Sequence, residues 1–429
     1  MELIKYKLSD IAKVEISGVD KKTKEGEMSV KLCNFTDVYH NWAITKNLEN
    51  SFMQASANAN EIRRFSIKKG QVAFTKDSEK RDDIGIATYI ADDFDNVILG
   101  YHCALITPDD SKVSGAYINA FMQTYLIKKY FSDNASGSGQ RYTLTIDTMN
   151  NMPLFLPSLP EQKRIASILS ALDKKIALNR QINQNLEALA RQLYDYWFVQ
   201  FDFPDVNGKP YKSSGGKMVF NPILKREIPE GWEVKKLGEL CSFNKRTSNG
   251  RYTSPILYLD TASITNNNVE MLQLLDPEED EIPSRARRVV MEGDIVYSTV
   301  RPNLKHFGLL YNPKSNMVVS TGFVVITANW SAFRYYIYQF LKQDKVVENL
   351  HSIAQSAVSS YPSINASDIQ NLDIVVPPNI QIVAFAQIAC KIHAQLEIHA
   401  QQILSLTKQR DELLPLLMNG QVNFDLSAY

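Results

Sequence analysis

Two stretches of the chain place apolar residues every three or four positions over about 40 residues, whereas globular helices average about 12. The first runs from Ser158 to Phe198 and the second from Asn379 to Leu414. A seven-residue repeat of this length predicts coiled-coil helices rather than one side of a globule. The predicted seam residues are Ile165, Ile168, Leu172, Ile176, Ile182, Leu186, Leu189 and Leu193, then Ile382, Phe385, Ala389, Ile392, Leu396, Ile403, Leu406, Leu413 and Leu417.

The ends of these helices also carry signals. Ser158 and Glu161 have the spacing of a capping box, in which the serine accepts a backbone N–H and the glutamate reaches back. Pro415 predicts that the second helix kinks or ends near Leu414.

Each long helix follows a region of mixed pattern, about residues 6–155 and 232–376. Short β-branched and aromatic runs predict strands there, and longer periodic runs predict helices. The strand candidates are Gln71–Thr75, Val97–Ile106, Asp294–Thr299 and Val318–Ile326, and the helix candidates are Ala116–Tyr130 and Ala332–Lys342.

The chain resembles itself at a spacing near 220 residues. Leu156-Pro157 recurs as Val376-Pro377 before the second long helix, an offset of 377 − 157 = 220. Further matches are Lys69–Val72 with Glu292–Ile295 at 293 − 70 = 223, and Lys7–Ile11 with Lys236–Leu240 at 236 − 7 = 229. We therefore predict a duplication, each copy being a mixed domain followed by a helix.

Two helices of similar length in a duplicated chain most simply pair with each other. An approximate two-fold relation between the copies would make that pairing antiparallel. Asn179 lies near the middle of the first seam, and 179 + 220 = 399 is His399 in the second. We predict that Asn179 and His399 meet and fix the register, since a buried polar pair is satisfied in only one alignment. The alternative is that both side chains face water.

The segment from Asp202 to Gly231 is rich in Pro, Gly and Ser and has no period. These properties predict a linker or loop between the two copies rather than a helix or a strand.

Composition narrows the class of protein. The 429 residues, 44% of them hydrophobic, suffice for two or three domains with cores of their own. With no run of about 18 apolar residues and no signal pattern at Met1–Asp10, we expect a cytoplasmic protein without a membrane span. Forty-seven basic and 47 acidic residues cancel, so a nucleic-acid binder of this composition would need positive charge from its partners.

The sequence lacks patterns for catalysis. It has no glycine-rich nucleotide loop, and its one Pro-Pro pair, Pro377-Pro378, is outside the Asn/Asp-Pro-Pro-aromatic motif of a methyltransferase. Glu233 and Lys235 have a spacing too common to indicate a nuclease. His393 and His399 are six residues apart, poor for a shared metal on a helix, and are interpreted as a surface and a seam residue. We expect no catalytic residue, no metal and no cofactor.

The order of several motifs resembles a known family. Pro160-Glu161-Gln162 opens the first helix, Ile228–Trp232 opens the second half, and Glu292–Ile295 leads into Ser298–Pro302. Over essentially its whole length the chain is similar to the specificity subunit of type I restriction–modification systems. It departs from the family pattern at the second helix, which has Ile380-Gln381-Ile382 in place of the Pro-Glu-Gln opening.

This resemblance implies two target-recognition domains, each reading one half of a split, asymmetric site in double-stranded DNA. It implies helices that act as a ruler and dock two methyltransferase subunits, and restriction subunits that join the complex; catalysis belongs to these partners. A helix of about 40 residues is about 60 Å long. Both readers must face one side of the duplex, so we expect half-site centres about 34 Å apart.

The predicted fold is α+β: two mixed target-recognition domains separated by two long helices in an antiparallel coiled coil, with an internal pseudo-two-fold repeat. The predicted boundaries are 1–156 for the first target-recognition domain, 157–200 for the first spacer helix, 201–231 for the linker, 232–377 for the second target-recognition domain, 378–420 for the second spacer helix and 421–429 for a tail.

Candidate DNA contacts lie in loops of both domains. Gln and Arg can pair with adenine and guanine edges, which favours the glycine–serine segment 133–141 and its counterpart 356–361. The other candidates are basic loops, for which an ordinary solvated charge cluster is the alternative. The complete set is Lys76, Lys80, Arg81, Ser138, Gln140 and Arg141, then Lys245, Arg246, Arg285, Arg287, Arg288, Arg301, Asn303, Lys305, Ser359 and Tyr361. Arg301–Lys305 is the strongest candidate, because it follows a predicted strand at a turn.

Candidate partner contacts lie at both ends of the first helix. The resemblance indicates Glu161 and Gln162 at its start. At its end Tyr194, Tyr196, Trp197 and Phe198 crowd together, and only some of them can pack on the seam. Aromatic side chains exposed together mark interfaces, so we predict that the remainder form part of a methyltransferase dock, with burial under residues 202–231 as the alternative.

Two functions of different class fit these patterns. The first is the DNA-reading specificity subunit. The second is a coiled-coil scaffold or regulator that competes for methyltransferase subunits without reading DNA, which a net charge of zero favours slightly.

Overall fold

The structure, a computed structural model, describes residues 2–269, 271–356 and 362–421. Its contacts divide the chain into unit 1, Met1–Asn179 with Gln401–Tyr429, and unit 2, Arg180–Ala400. Both boundaries fall within the long helices. Each unit therefore holds one mixed domain and a part of each helix.

The mixed domain of unit 1 alternates short strands with short helices. Its strands are β1 (Ile4–Lys7), β2 (Ala12–Ile16), β3 (Met28–Cys33), β4 (Ala43–Ile44), β5 (Met53–Ala57), β6 (Val72–Thr75), β7 (Asp77–Ser78), β8 (Ala87–Ile90), β9 (Val97–Leu99), β10 (Cys103–Pro108), β11 (Ser136–Ser138), β12 (Arg141–Thr143) and β13 (Pro153–Leu156). Its helices are α1 (Leu8–Ile11), α2 (Phe35–His40), α3 (Ala59–Phe65), α4 (Gly115–Met122), α5 (Tyr125–Asn134) and α6 (Ile146–Asn150), followed by the long α7 (Leu159–Tyr194).

The sheets of unit 1 enclose two apolar cores. The largest sheet has the order β2-β10-β6-β8-β4, a second has the order β5-β3-β9, and β11-β12-β7 form a third. One core packs helices such as α4 on the largest sheet and includes Phe74 and Tyr117, and the other lies under β3 and β9 around Leu32.

Unit 2 has the same kind of alternation. Its strands are β14 (Met218–Asn221), β15 (Arg226–Pro229), β16 (Glu233–Lys236), β17 (Cys241–Phe243), β18 (Ile256–Leu259), β19 (Ile264–Thr265), β20 (Asn268–Val269), β21 (Gln273–Leu275), β22 (Ala286–Val289), β23 (Ile295–Ser298), β24 (Phe307–Leu309), β25 (Met317–Ser320), β26 (Phe323–Ala328) and β27 (Asp373–Val376). Its helices are α8 (Leu237–Leu240), α9 (Phe333–Leu341), α10 (Asp344–Ser356) and α11 (Ala366–Gln370), followed by the long α12 (Asn379–Met418). The main sheets have the orders β17-β26-β23-β24 and β21-β18-β25-β22.

The two units repeat the same strand pairings at the offsets found in the sequence. The matched pairs are Lys7 with Pro153 and Lys236 with Asp373, then Val72 with Ile106 and Ile295 with Ile326. Their offsets are 236 − 7 = 229, 373 − 153 = 220, 295 − 72 = 223 and 326 − 106 = 220. The predicted internal repeat is therefore confirmed down to hydrogen-bond register.

Two predicted strands and one predicted helix are each interrupted. Val97–Ile106 is divided into β9 and β10, because His102 has a φ of +68° that a strand does not allow. Its repeat Val318–Ile326 is divided between Ser320 and Phe323, and Ala116–Tyr130 forms α4 and α5. In each case apolar residues continue across the turn, so their periodicity does not indicate where the strand or helix is interrupted.

Both long helices are present. At the start of α7 the backbone N–H of Ser158 donates to Glu161 Oε2 at 3.1 Å, as the capping box predicts. The Ser158 hydroxyl donates to the same carboxylate at 2.7 Å. The helix α12 continues past Pro415 to Met418, so the proline lies in its final turn.

The helices pair antiparallel inside unit 1. Asp173 of α7 lies 3.9 Å from Arg410 of α12, and the Asn179 amide donates to Gln402 Oε1 at 3.1 Å. Partner numbers fall as residue numbers rise, which defines the antiparallel direction. Asn179 is nearly buried; its predicted meeting with His399 stays a prediction.

The same direction is seen inside unit 2. Asn183 donates to the backbone carbonyl of Leu396 at 3.2 Å. Further along α7, Ala190 packs in an apolar cluster with Ile392. Leu189, a predicted seam residue, is exposed, and its neighbour Ala190 takes the buried position.

The expectation of a linker without secondary structure is wrong for residues 202–231. This segment forms the hairpin β14–β15, in which Val219 pairs with Ile228. Phe203 stacks on Trp232 with ring centroids 5.0 Å apart, and both belong to the core of unit 2. A few irregularly spaced apolar residues give no period, yet they suffice to fix the segment on a core.

The predicted aromatic dock is contradicted for Tyr194, Trp197 and Phe198, which are 3%, 5% and 2% exposed. The ring of Phe198 lies 5.1 Å from that of Phe385 and 6.0 Å from that of Trp232. These side chains form the centre of the unit 2 core. Burial, the alternative interpretation, therefore holds.

We expect Trp197→Ala to lower the free energy of unfolding by about 3–5 kcal/mol, because it removes a large side chain from a packed core. Tyr196→Ala is the matched control, since Tyr196 is 39% exposed, and we expect a change within about 0.5 kcal/mol. Urea denaturation followed by circular dichroism measures both. A wild-type midpoint for Trp197→Ala would contradict the packing described above.

Candidate nucleic-acid interface

In unit 1 the structure brings two predicted segments into one sheet. The basic loop 76–81 contributes β7, and the glycine–serine segment 133–141 contributes β11 and the start of β12. Tyr142 pairs with Ser78 and Thr143 with Asp77. Candidates that are more than 50 residues apart in sequence (141 − 76 = 65) thereby share one surface.

Glycines set the shape of this surface. The strands β11 and β12 are joined by Gly139 and Gln140, and Gly139 has a φ of +58°, which glycine adopts without strain. Gly137 has a φ of +125°, and a Cβ there would lie 2.2 Å from the Arg141 carbonyl oxygen. Gln140 and Arg141 are exposed at the end of this hairpin. The predicted role of the Ser138 side chain lies outside what the structure describes.

Three polar side chains converge beside the hairpin around a fourth, the carboxylate of Asp77. Its Oδ2 lies 2.7 Å from Lys76 Nζ, 2.5 Å from His102 Nδ1 and 3.5 Å from Arg141 Nη2. Arg141 Nη2 also lies 2.5 Å from His102 Nδ1 and 2.9 Å from His102 Nε2. We call these four residues the Asp77 cluster.

The Asp77 cluster carries an excess of positive charge. Burial raises the pKa of the Asp77 carboxyl, but hydrogen bonds from Lys76, Thr143 and His102 outweigh burial and lower the pKa to about 2. Asp77 is therefore ionised at neutral pH. One carboxylate faces the two cations Lys76 and Arg141, and the Arg141 side chain is 58% exposed.

Sequence reasoning missed His102 and its neighbour Tyr101. Both line the cleft beside Asp77 and Arg141, and their ring centroids are 3.8 Å apart. The prediction of one strand over 97–106 placed them in a sheet interior. Gly100, a common strand breaker, is the signal that would have placed a turn there.

The other basic candidates of unit 1 differ from each other. Arg81 Nε donates to the backbone carbonyl of Ser132 at 3.0 Å and so caps the end of α5. Lys80 is exposed. Arg81 has a structural contact, whereas Lys80 presents its charge to solvent.

Unit 2 repeats the backbone frame of this surface. The N–H of Lys76 donates to His102 O at 2.8 Å, and that of Thr299 to Gly322 O at 2.9 Å. Likewise Leu144 N–H donates to Lys76 O, and Ile364 N–H to Thr299 O. The frame is thus the same at offsets of 299 − 76 = 223 and 322 − 102 = 220.

Arg301, in the segment that is the strongest candidate for DNA contact, adds a further backbone hydrogen bond to this frame. The backbone N–H of Arg301 donates to Pro362 O at 3.1 Å, and a 3₁₀ turn, Pro302–Leu304, follows. Arg301 and Lys305 have φ values of +48° and +57°, unusual for residues other than glycine. Arg301 and Asn303 are exposed. Lys305 Nζ instead lies 2.9 Å from Asp344 Oδ1, which ties it to α10.

The remaining basic candidates of unit 2 divide into half-buried and exposed residues. Arg246 Nη2 lies 2.5 Å from Oδ2 of the buried Asp294, so an ion pair gives Arg246 a structural role in place of the predicted DNA contact. Arg288 donates to Thr247 Oγ1 at 3.1 Å, and burial lowers the pKa of its guanidinium. The exposed candidates are Lys245, Arg285 and Arg287. The predictions for Ser359 and Tyr361 lie outside the described residues.

The predicted partner contact at Gln162 is contradicted, because its side chain is buried and hydrogen bonded inside unit 1. Its Oε1 accepts from Ser114 N–H at 3.0 Å, and its Nε2 donates to the carbonyls of Lys112 and Pro157. Glu161 caps α7 through Ser158, and its contact with a partner stays a prediction. The hydrogen bonds of Gln162 therefore connect the start of α7 to the mixed domain of unit 1.

We expect Asp77 to stabilise unit 1 at neutral pH and to lose that effect on acidification. The folded-state pKa of about 2 lies below the ordinary 3.8, so the contribution is complete above about pH 4 and lost towards pH 2. Asp77→Asn should therefore be less stable than the wild type at pH 7, and the difference should shrink below pH 4. A difference in free energy of unfolding that stays constant over this range would contradict the ionised, hydrogen-bonded carboxylate.

Metal sites and membrane-spanning helices are both absent from the described residues. No group of three or more His, Cys, Asp or Glu side chains there is arranged to hold a metal ion. In the same ranges, no helix combines the length and hydrophobicity needed to cross a membrane.

Comparison with known proteins gives consistent matches. The family model described as type I restriction modification DNA specificity domain matches residues 3–188 and 229–408. The chain is 27% identical to the type I restriction enzyme MjaIX specificity subunit of Methanocaldococcus jannaschii, over 75% of this chain and 72% of that protein. It is 22% identical to the HindI specificity subunit of Haemophilus influenzae, over 83% of this chain and 87% of that protein.

A solved structure shares the fold. The S subunit of a type I restriction–modification system from M. genitalium matches with a TM-score of 0.55 and 13% identity, covering 97% of this chain and 96% of that one. The two family matches correspond to the two halves of the internal repeat. This chain belongs to the family of type I restriction modification DNA specificity domains.

Proposed function

We propose that this chain is the DNA-reading subunit of a type I restriction–modification complex, in which each target-recognition domain reads one half of a bipartite, asymmetric site. The observation that carries the proposal is the repeated backbone frame. In unit 1 this frame presents exposed polar and basic side chains on the β11–β12 hairpin, which carries Arg141. In unit 2 it presents them at Arg301 and the 3₁₀ turn that follows.

The chemistry of both surfaces suits DNA. Arg and Gln side chains can form paired hydrogen bonds with base edges in the major groove, and exposed lysines suit phosphates. Unit 1 presents Gln140, Arg141 and Lys80, and unit 2 presents Arg301 and Asn303. Because the two sets of exposed side chains differ, the two copies of the frame would read different half-sites.

The long helices suit the spacing role and the docking of methyltransferase subunits. Their 36 and 40 residues correspond to about 54 and 60 Å at about 1.5 Å per residue. Many positions of α7 and α12 are exposed. A net charge of zero means that methyltransferase subunits would supply much of the attraction to phosphate.

Fluorescence anisotropy with duplex DNA, with and without methyltransferase subunits, tests this function. We expect the complex to select one bipartite duplex over random DNA by about 10³-fold or more, and the isolated chain to bind weakly. If the chain assembles with methyltransferase subunits and no duplex is preferred, the scaffold or regulator function replaces this proposal.

Lengthening both helices by one heptad tests the ruler. Seven residues add about 10 Å, so we expect the gap between half-sites to grow by about 3 base pairs at about 3.4 Å each. The bases read in each half should not change. Insertion of matched heptads in α7 and α12 keeps the antiparallel seam in register, and selection from a duplex library measures the gap. Altered bases with an unchanged gap would refute the ruler.

Arg301→Ala tests the reading surface of unit 2. We expect a loss of specific affinity of about 1–3 kcal/mol if the side chain contacts a base. Arg301→Lys is the matched control, since it keeps the charge but not the paired hydrogen bonds. A base contact predicts that both variants lose preference at one base pair. An equal loss on all sequences, rescued by lysine, would show a phosphate contact.

A further inference from the structure

The Asp77 cluster has the geometry of a pre-formed reader of a single base. It lies in a cleft of unit 1 whose lining includes Lys76, Asp77, Tyr101, His102 and Arg141. The cleft is open to solvent at Arg141, which is 58% exposed, and is closed below by Asp77, whose side chain is 9% exposed. A buried anion thus holds an exposed cation in place.

Within the part of the chain that the structure describes, only one edge of the Arg141 guanidinium is used. Among the contacts of the described residues, Asp77 and His102 engage Nη2. The guanidinium has five N–H donors in a rigid plane, so its remaining donors are available to a ligand. A pair of acceptors in one plane is the ligand that this group fits best.

We propose that Arg141 reads a guanine in the half-site of the first target-recognition domain, and that His102 and Asp77 are positioning residues for it. This inference rests on the proposed function. Guanine presents N7 and O6 as adjacent acceptors in the major groove, which an arginine binds with two hydrogen bonds. Adenine presents an N–H donor in place of O6, so it would face the guanidinium donor to donor.

The surroundings of Arg141 limit its freedom before DNA binds. His102 is held at a φ of +68°, unusual for a residue other than glycine or asparagine, and its ring lies against Tyr101. Gly137 allows the neighbouring strand to approach the Arg141 backbone. A side chain fixed in this way loses less conformational entropy on binding, which favours selective recognition.

The cluster is specific to the first domain. At the repeat offsets, Asp77 corresponds to Val300, His102 to Gly322 and Arg141 to Ser360, from 77 + 223 = 300, 102 + 220 = 322 and 141 + 219 = 360. The second copy therefore lacks the carboxylate, the imidazole and the guanidinium in its sequence. Any change at Arg141 should affect one half-site and leave the other as it is.

The test uses the full complex with methyltransferase subunits and a duplex library randomised in both half-sites. We expect the wild type to require guanine at one position of one half-site. Arg141→Ala and Arg141→Lys should both lose that preference by about 5- to 150-fold, because neither can form the two hydrogen bonds. His102→Asn, which tolerates the positive φ, should weaken the same preference without changing affinity for duplexes that lack the guanine.

Arg64→Ala is the matched control, since Arg64 is an exposed arginine of the same domain that pairs with Glu15 at 3.0 Å. It should leave every preference unchanged. If the variants at Arg141 keep the guanine preference, or lose affinity equally for all sequences, the inference is overturned while the proposed function stands. A wild-type complex with no bipartite preference would overturn the proposed function and this inference with it.

Discussion

One residue in each domain forms backbone hydrogen bonds on both sides and so joins three distant segments. In unit 1 it is Lys76, whose N–H donates to His102 O and whose carbonyl accepts from Leu144. In unit 2 it is Thr299, bonded to Gly322 and Ile364 in the same way. Together with the β7–β12 pairing in unit 1 and the Arg301–Pro362 bond in unit 2, these bonds fix the loop after β6 or β23 against the segment that precedes each long helix. The candidate surface of each domain depends on them.

The same frame carries different chemistry in the two copies. Backbone hydrogen bonds do not depend on the side chain, so duplication preserved the frame while the side chains diverged. Unit 1 places a buried carboxylate beneath an exposed arginine, whereas unit 2 places an arginine at the start of a 3₁₀ turn with a positive φ. Under the proposed function, two unlike surfaces on like frames would be the physical basis for an asymmetric recognition site.

Much of the fold was predictable from the sequence, because long-range periodicity and repetition are strong signals. The 220-residue offset, the long helices and the capping glutamate of the first one follow from the spacing of Ile, Leu, Ser158 and Glu161. The turn at His102 was not predictable from periodicity, since apolar residues continue on both sides of it. The packing of Phe203 on Trp232 was missed for the opposite reason, because a few apolar residues among Pro and Gly give no period.

The candidate site was less predictable, because the role of a charged residue depends on what lies across from it. Arg246 and Arg301 look alike in sequence, yet one pairs with buried Asp294 and the other is exposed. Gln162 likewise belongs to a family motif, but its side-chain amide is already hydrogen bonded within unit 1. The segments of the surface were predictable from the sequence, whereas only tertiary contacts separated structural side chains from those open to a ligand.

The most direct test of the central claim is long-read methylation mapping of a cell that expresses this chain with its methyltransferase subunits. The account predicts modified bases within two short, unlike sequence blocks separated by a constant gap. A single contiguous block, two identical blocks, or methylation without a shared sequence would contradict it.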